Sequence, residues 1–127
     1  MAEILSNQWF RLTVDDDVVR ITRLAAPPPS PSEMAGLYGE LIAALRGSRA
    51  KKALVDLRGG PPGRNDPEFE RASEDWRKAL AENLDRVAIL VRTAVGKLHI
   101  HRLAREVGRA PAVFMDEAEA LAFLRAP

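Results

Sequence analysis

Cysteine is missing from all 127 residues. That excludes a disulfide framework, zinc-thiolate sites and a thiol nucleophile, and it suits a reducing compartment. A dominant charge is missing as well: nineteen Lys and Arg stand against eighteen Asp and Glu. No overall field steers such a chain toward nucleic acid, so only local patches have electrostatic reach. Long apolar runs are absent, none approaching the roughly 20 residues a spanning helix needs. The start, Met1-Ala-Glu-Ile-Leu-Ser-Asn-Gln8, lacks the basic opening and apolar core of a signal peptide. The expectation is a cytoplasmic protein without stable membrane insertion or nucleic-acid partner.

Catalytic and metal signatures are equally scarce. None of the five serines lies in a Gly-x-Ser-x-Gly elbow, so acyl transfer by a serine nucleophile has no visible basis. His99 and His101 sit two apart on an expected helix, about 200° around its axis, and cannot chelate one metal from that element. Asp15, Asp16 and Asp17 suggest calcium only superficially. Consecutive side chains in a tight turn point apart and no glycine-punctuated ligand loop follows, so they read as a solvated hairpin tip. The loop Gly59-Gly-Pro-Pro-Gly-Arg-Asn-Asp66 lacks the Gly-Lys-Ser/Thr ending of a phosphate loop and gives two positions to proline, which has no N–H. No cofactor and no metal are expected.

What is present is an alternation of short apolar strands and amphipathic helices. Trp9 to Val14 and Val18 to Leu24 alternate around the aspartate tip, which predicts an antiparallel hairpin. Ala25-Ala-Pro-Pro-Pro-Ser-Pro31 predicts an extended connector, because proline lacks the ladder donor and fixes φ. A helix is then expected with Ser32 as its cap, Gly47 as its stop and Met34, Leu37, Tyr38, Leu41, Ile42 and Leu45 as its buried stripe.

Lys52-Ala-Leu-Val-Asp-Leu-Arg58 reads as the next strand, with Ala53, Val55 and Leu57 on one face and Leu54 and Asp56 on the other. Asp56 is the odd member, either a hydrogen-bond anchor for the following loop or a functional carboxylate. A second helix is expected from Asp66 as cap and Pro67 as first residue, with Glu68 and Glu70 favourable at its positive end. Its stripe is Phe69, Ala72, Trp76, Ala79 and Leu80, leaving Glu70, Arg71, Glu74, Asp75, Arg77 and Lys78 as a solvated face.

Arg86-Val-Ala-Ile-Leu-Val-Arg92 is apolar enough for a central strand covered on both faces. A third helix, about Thr93 to Val107 with Gly108 beyond it, buries Ile100, Leu103, Ala104 and Val107 and uses Gly96 for close approach. Its other side carries Lys97, Leu98, His101, Arg102, Arg105 and Arg109. Leu98 amid cations is the least routine feature of this surface, though single exposed leucines are common. Ala112 to Met115 forms a last strand, and Asp116-Glu-Ala-Glu119 has the pattern that starts a helix.

The order predicts a single α/β domain over 1–127: a mixed sheet of about five strands, an N-terminal antiparallel hairpin followed by parallel βα units, with about four helices. In such sheets ligands and partners meet the carboxyl ends of the strands, which points to residues 56 to 70.

Three stretches, Lys52 to Arg58, Arg86 to Val91 and Val113 to Leu124, resemble the SpoIIAA-like, STAS-like family (sulfate transporter and anti-sigma factor antagonist domains), and within it the bacterial STAS/SEC14-type branch. The resemblance spans most of residues 9 to 125. It implies a non-enzymatic regulatory module that binds a protein partner through Asp56, Arg58, Arg64, Asn65, Asp66 and Glu68, with a homodimer as a related possibility. Phosphoregulated members are similar in carrying an Asp-Ser pair at the start of the helix after this strand. Here that place holds Asn65-Asp66, and no Ser or Thr occurs from Arg49 through Ala72, so a phosphate switch there is chemically unavailable.

Two other classes compete. The SEC14-type likeness and the basic surface of Lys97, Leu98, His101, Arg102 and Arg105 suggest a binder of lipid or a small apolar acid. A small enzyme would use Asp56 as base and Arg58 or Arg64 as anion clamp, and loses its basis if Asp56 is committed to hydrogen bonds.

Overall fold

A computed structural model of the chain describes residues 2–27, 29–61, 67–105 and 112–126. Six strands form one sheet in sequential order, β1 (Ala2–Ser6), β2 (Phe10–Asp15), β3 (Val18–Arg23), β4 (Lys52–Asp56), β5 (Arg86–Leu90) and β6 (Ala112–Phe114). The helices are α1 (Pro31–Ser48), α2 (Pro67–Asn83), α3 (Ala94–Arg105) and α4 (Glu117–Arg125). β1, β2 and β3 pair antiparallel, and β3 through β6 pair parallel. This is the expected α/β architecture with one strand more than expected.

The added strand is β1, an edge with a register shift between Glu3 and Leu5. The turn into β2 is organised by Asn7, whose Oδ1 accepts from the backbone N–H of Trp9 and of Phe10, both at 2.8 Å. At the next turn Asp16 takes a left-handed conformation, φ 55°. The tip is more than solvated carboxylates: the Asp17 carbonyl accepts from the N–H groups of Lys51 and Lys52, which pins the start of β4 beside the hairpin.

Side-chain alternation sends the sheet residues into two cores. Leu12, Val19, Ile21, Ala53, Val55 and Ile89 pack with Met34, Leu37, Leu41, Leu45, Trp76 and Leu80 from α1 and α2, and Ile100 of α3 joins them. The rings of Tyr38 and Trp76 stack at 6.3 Å where α1 meets α2. On the opposite face Leu54, Ala88 and Leu90 meet Ala120 and Leu124 of α4. Crossovers of one hand between successive parallel strands place α1, α2 and α3 on a common face. α4, which follows the last strand, covers the other.

The caps differ in part from expectation. Ser30, not Ser32, caps α1. Its side chain accepts from the N–H of Glu33 while the Glu33 carboxylate accepts from the Ser30 N–H at 3.2 Å, and Pro31 opens the helix. This capping box holds the Glu33 carboxyl below its ordinary range through the Ser30 hydrogen bonds. The helix also passes Gly47 and ends at Ser48, with Arg49 left-handed at φ 58°. Asp116 caps α4 as expected, accepting from the N–H of Ala118 at 2.8 Å. The Asp66 cap, and the expected contributions of Val107, Gly108 and Arg109, lie outside the described residues, as do the side chains of Phe69, Leu103 and Ala104.

Replacing Ser30 with Ala should lower unfolding free energy by about 1 kcal/mol, whereas Ser32→Ala should stay within about 0.5 kcal/mol of the parent. Urea midpoints of the two variants measure the difference; a larger loss from Ser32→Ala would contradict the cap.

Candidate functional site

The carboxyl end of β4 is built around Asp56, which with Ser73 is a buried polar residue among the described residues, at 7% exposure. Strand alternation puts it on the α4 face beside Arg20, because Thr22 is its partner in β3 and Arg20 lies two residues back on the same side. Arg58, two residues on, folds back over it. Its Nε donates to Asp56 Oδ1 at 3.0 Å and its Nη2 to Oδ2 at 2.9 Å, while its backbone N–H donates to Oδ1 at 3.1 Å. Arg20 Nη2 donates to Oδ2 at 2.9 Å.

Glu117, the first residue of α4, completes the set. Its Oε1 accepts from Arg20 Nη2 at 2.6 Å and from Arg58 Nη2 at 2.9 Å. Two guanidinium groups and two carboxylates thus alternate, each shared, and the cluster is formally neutral. Burial alone would raise the Asp56 carboxyl; the hydrogen bonds from Arg58, then the charges of Arg58 and Arg20, hold it below the usual carboxylate range. The Arg20 hydrogen bond and charge, with Arg58 beside them, do the same for Glu117. Arg58 is raised, first by its hydrogen bond to Asp56. A carboxylate so occupied is a poor proton acceptor at neutral pH, which removes the basis for Asp56 as a catalytic base.

The loop beyond is held by two further arginines, Arg23 at the end of β3 and Arg92 just after β5. Arg23 donates to the carbonyls of Trp9, Leu24 and Ala26 and lies over the Phe10 ring at 5.5 Å, burial lowering its proton affinity. Gly60 packs on that side chain so closely that a β-carbon there would stand 2.5 Å from Arg23 Cγ. Arg92 Nη2 donates to the Gly60 carbonyl at 3.3 Å. Trp9 Nε1 donates to the Pro27 carbonyl at 2.9 Å, which ties down the proline connector at the same end of the sheet.

Of the residues expected to meet a partner, Asp56 and Arg58 are joined in this cluster and Glu68 stands exposed on the first turn of α2. Arg64, Asn65 and Asp66 lie outside the described residues. Arg20 and Glu117 were not expected here; shared strand parity could have suggested Arg20, and only the return of α4 across β5 brings in Glu117. On the second surface, Lys97 and Leu98 are exposed, but Arg102 reaches across to Glu70 of α2 at 2.6 Å. That bond removes Glu70 from the expected solvated face, and Arg77 leaves it too, donating to the buried Ser73 hydroxyl. Lys78 and Glu74 pair at 3.2 Å on the exposed side. The side chains of His101 and Arg105 lie outside the described residues.

An open depression of about 200 Å³ over the start of α2 is lined by Pro67, Glu70, Arg71, Glu74 and Arg77. Such a charged lining suits neither a lipid chain nor an apolar acid. Among the described residues no group of three or more His, Asp or Glu is placed to hold a metal ion, and no helix is long and apolar enough to cross a membrane. No protein-family model matches the chain, and no curated protein matches it either.

Because both carboxyls titrate lower in the folded state than in the unfolded chain, their stabilisation is complete above the ordinary carboxylate range and is lost as pH falls through the native values. Asp56→Asn should cost about 1–3 kcal/mol at neutral pH, less than a fully buried pair because Arg20 and Arg58 side chains are 31% and 37% exposed and can regain water. It should also flatten the decline of stability on acidification, read by urea unfolding across a pH series; a parent-like slope would mean Asp56 is not the titrating anchor. Gly60→Ala should cost about 1–3 kcal/mol by overpacking Arg23, while Gly59→Ala, whose nearest contact would be the Arg23 carbonyl oxygen at 3.6 Å, should be well tolerated.

Proposed function

We propose that the protein is a non-enzymatic regulatory module of the STAS-like kind that binds a protein partner through the loop after β4 and the start of α2. The observation that carries this reading is the commitment of Asp56 to Arg58 and Arg20. The most suggestive catalytic candidate of the sequence is spent on two arginines and on the Arg58 N–H, which fixes the chain where β4 ends, and a preorganised platform is what macromolecular recognition needs. In this reading Asp56 supports the surface from beneath and orients Arg58. Contact is made by the partly exposed Arg58, the exposed Glu68, and Arg64, Asn65 and Asp66 between them.

The lack of Ser or Thr from Arg49 through Ala72 makes the interaction constitutive with respect to phosphorylation at that place. A second copy of the chain is an admissible partner, which light scattering would report as dimer mass.

Reversing charge with the pair Arg64→Glu and Asp66→Arg should abolish capture of the partner from native lysate while circular dichroism shows the fold retained at the assay temperature, the melting temperature falling only by what loss of the expected Asp66 cap costs, about 1 kcal/mol. The control Arg11→Glu, on the exposed side of β2, should leave capture intact. Unchanged capture by the double variant would refute this surface.

A further inference from the structure

Among the described residues β1 pairs only with β2 and ends the sheet, so the backbone groups along its outer side have no strand beside them. Such edges are commonly guarded by Lys or Pro. Ala-Glu-Ile-Leu-Ser contains neither. Its one irregularity is the register shift between Glu3 and Leu5, which leaves Ile4 as an extra residue standing with Leu5 opposite Leu12.

That extra residue sets the pattern of faces. Arg11 and Thr13 lie on the open face of the sheet, and their partners Ser6 and Glu3 lie there with them. Leu12 belongs to the main core and Leu5 packs against it, so Ile4 and Leu5 turn to the core side. From Glu3 to Ser6 the faces therefore run open, core, core, open, the same in both directions. An antiparallel copy of β1 matches face for face when Glu3 stands opposite Ser6 and Ile4 opposite Leu5. A shift of one residue either way sets an open-face residue against a core-face one.

The same register accounts for the side chains that β1 and β2 leave exposed. Ile4, 39% exposed, meets Leu5 of the second copy. Glu3 and Arg11 are exposed and opposite in charge, and among the described residues neither has an ion-pair partner. In this register Glu3 of one copy lies in a row with Ser6 and Arg11 of the other. Strands about 4.8 Å apart let a glutamate and a guanidinium span the small serine and pair above it.

We infer that two copies of the chain join through β1, antiparallel about a twofold axis between Ile4 and Leu5, and extend the sheet without a break. A face pattern that reads alike in both directions, with opposite charges in one row, is what a twofold interface needs, since each contact then occurs twice. Five residues bury less than a standard interface, so the association is weak and reversible. It lies beyond β2 and β3 from β4 and does not rest on the partner surface at α2.

Sedimentation equilibrium of the full chain at about 10–300 μM, the range a small interface calls for, should show monomer in exchange with dimer. Glu3→Arg and Arg11→Glu should each weaken dimerisation by about tenfold, because like charges then face each other at two symmetric places. The double variant, which exchanges the two signs, should restore it. Both positions are exposed, so circular dichroism should show the parent fold in all three. Monomer mass for the parent over the whole range, a single variant that dimerises like the parent, or a double variant no better than the singles would overturn the proposal. So would a dimer that both single variants retain and that is lost with Arg64→Glu and Asp66→Arg, which would assign self-association to the α2 surface.

Discussion

The bond on which the carboxyl end of this sheet depends is the fork of Arg58 on Asp56. A carboxylate that loses most of its water needs its lone pairs filled. Asp56 fills them from three directions, with the Arg58 guanidinium, the Arg58 backbone N–H and Arg20. The same contacts place the chain: the backbone bond turns residues 57 and 58 at the end of β4, and the side-chain bond brings Arg58 back over the strand toward Glu117. Residues from β3, β4 and α4 are thereby joined by four side chains, although Arg58 and Glu117 are 59 positions apart in the chain. α4 packs Ala120 and Leu124 against Leu54, Ala88 and Leu90, with Leu121 and Phe123 at the margin and the Phe123 ring 5.6 Å from that of Phe114. The electrostatic clamp at its first residue adds a polar anchor at the end of the helix opposite to Arg86, which donates to the Phe123 carbonyl at 2.7 Å.

Placement of the clamp follows from how the two faces of the sheet are covered. The main core lies under α1, α2 and α3, whereas α4 packs only over the parallel half of the other face. The antiparallel half is left to water there, as antiparallel sheets tolerate, with Arg11 exposed and Thr13 half-buried on β2. Arg20 stands on the boundary between covered and open sheet. It can reach Asp56 beneath α4 while keeping part of its guanidinium hydrated, which limits the desolvation a wholly buried ion pair would suffer.

Much of this fold was legible because its central elements carry strong local patterns. The alternation of Ala53, Val55 and Leu57 against Leu54 and Asp56 assigned β4 its faces correctly, and the stripe of Met34, Leu37, Leu41 and Leu45 is buried as periodicity required. β1 was not legible, since Ala-Glu-Ile-Leu-Ser has no sustained alternation and is held by its ladder to β2. The α1 cap was misplaced although its signal was present. Ser30, Pro31 and Glu33 form a capping box one turn ahead of Met34, whereas Ser32 is only nearer to the apolar stripe. Within the site, the pairing of Asp56 with Arg58 is a neighbour effect that strand parity makes visible. Arg20 required the register of two strands, and Glu117 required knowing that the last helix doubles back across the sheet.

Three arginines, Arg23 at the end of β3 and Arg58 and Arg92 just after β4 and β5, stand at the carboxyl ends of three successive parallel strands, an arrangement that in sequence looks like the lining of an anion site. Each is instead turned toward the chain itself: Arg23 to three carbonyls, Arg58 to two carboxylates, Arg92 to the carbonyl of Gly60. A guanidinium has five donors in a fixed plane, so one that braces a loop has its direction decided before any ligand arrives. The three arginines at this end of the molecule therefore brace the chain rather than line a common anion site. The groups with free surface there are Gly59, the first turn of α2 with Glu68, and the start of α3 with Val95 and Leu98. The first two offer exposed backbone and a carboxylate, and the last offers apolar side chains beside Lys97.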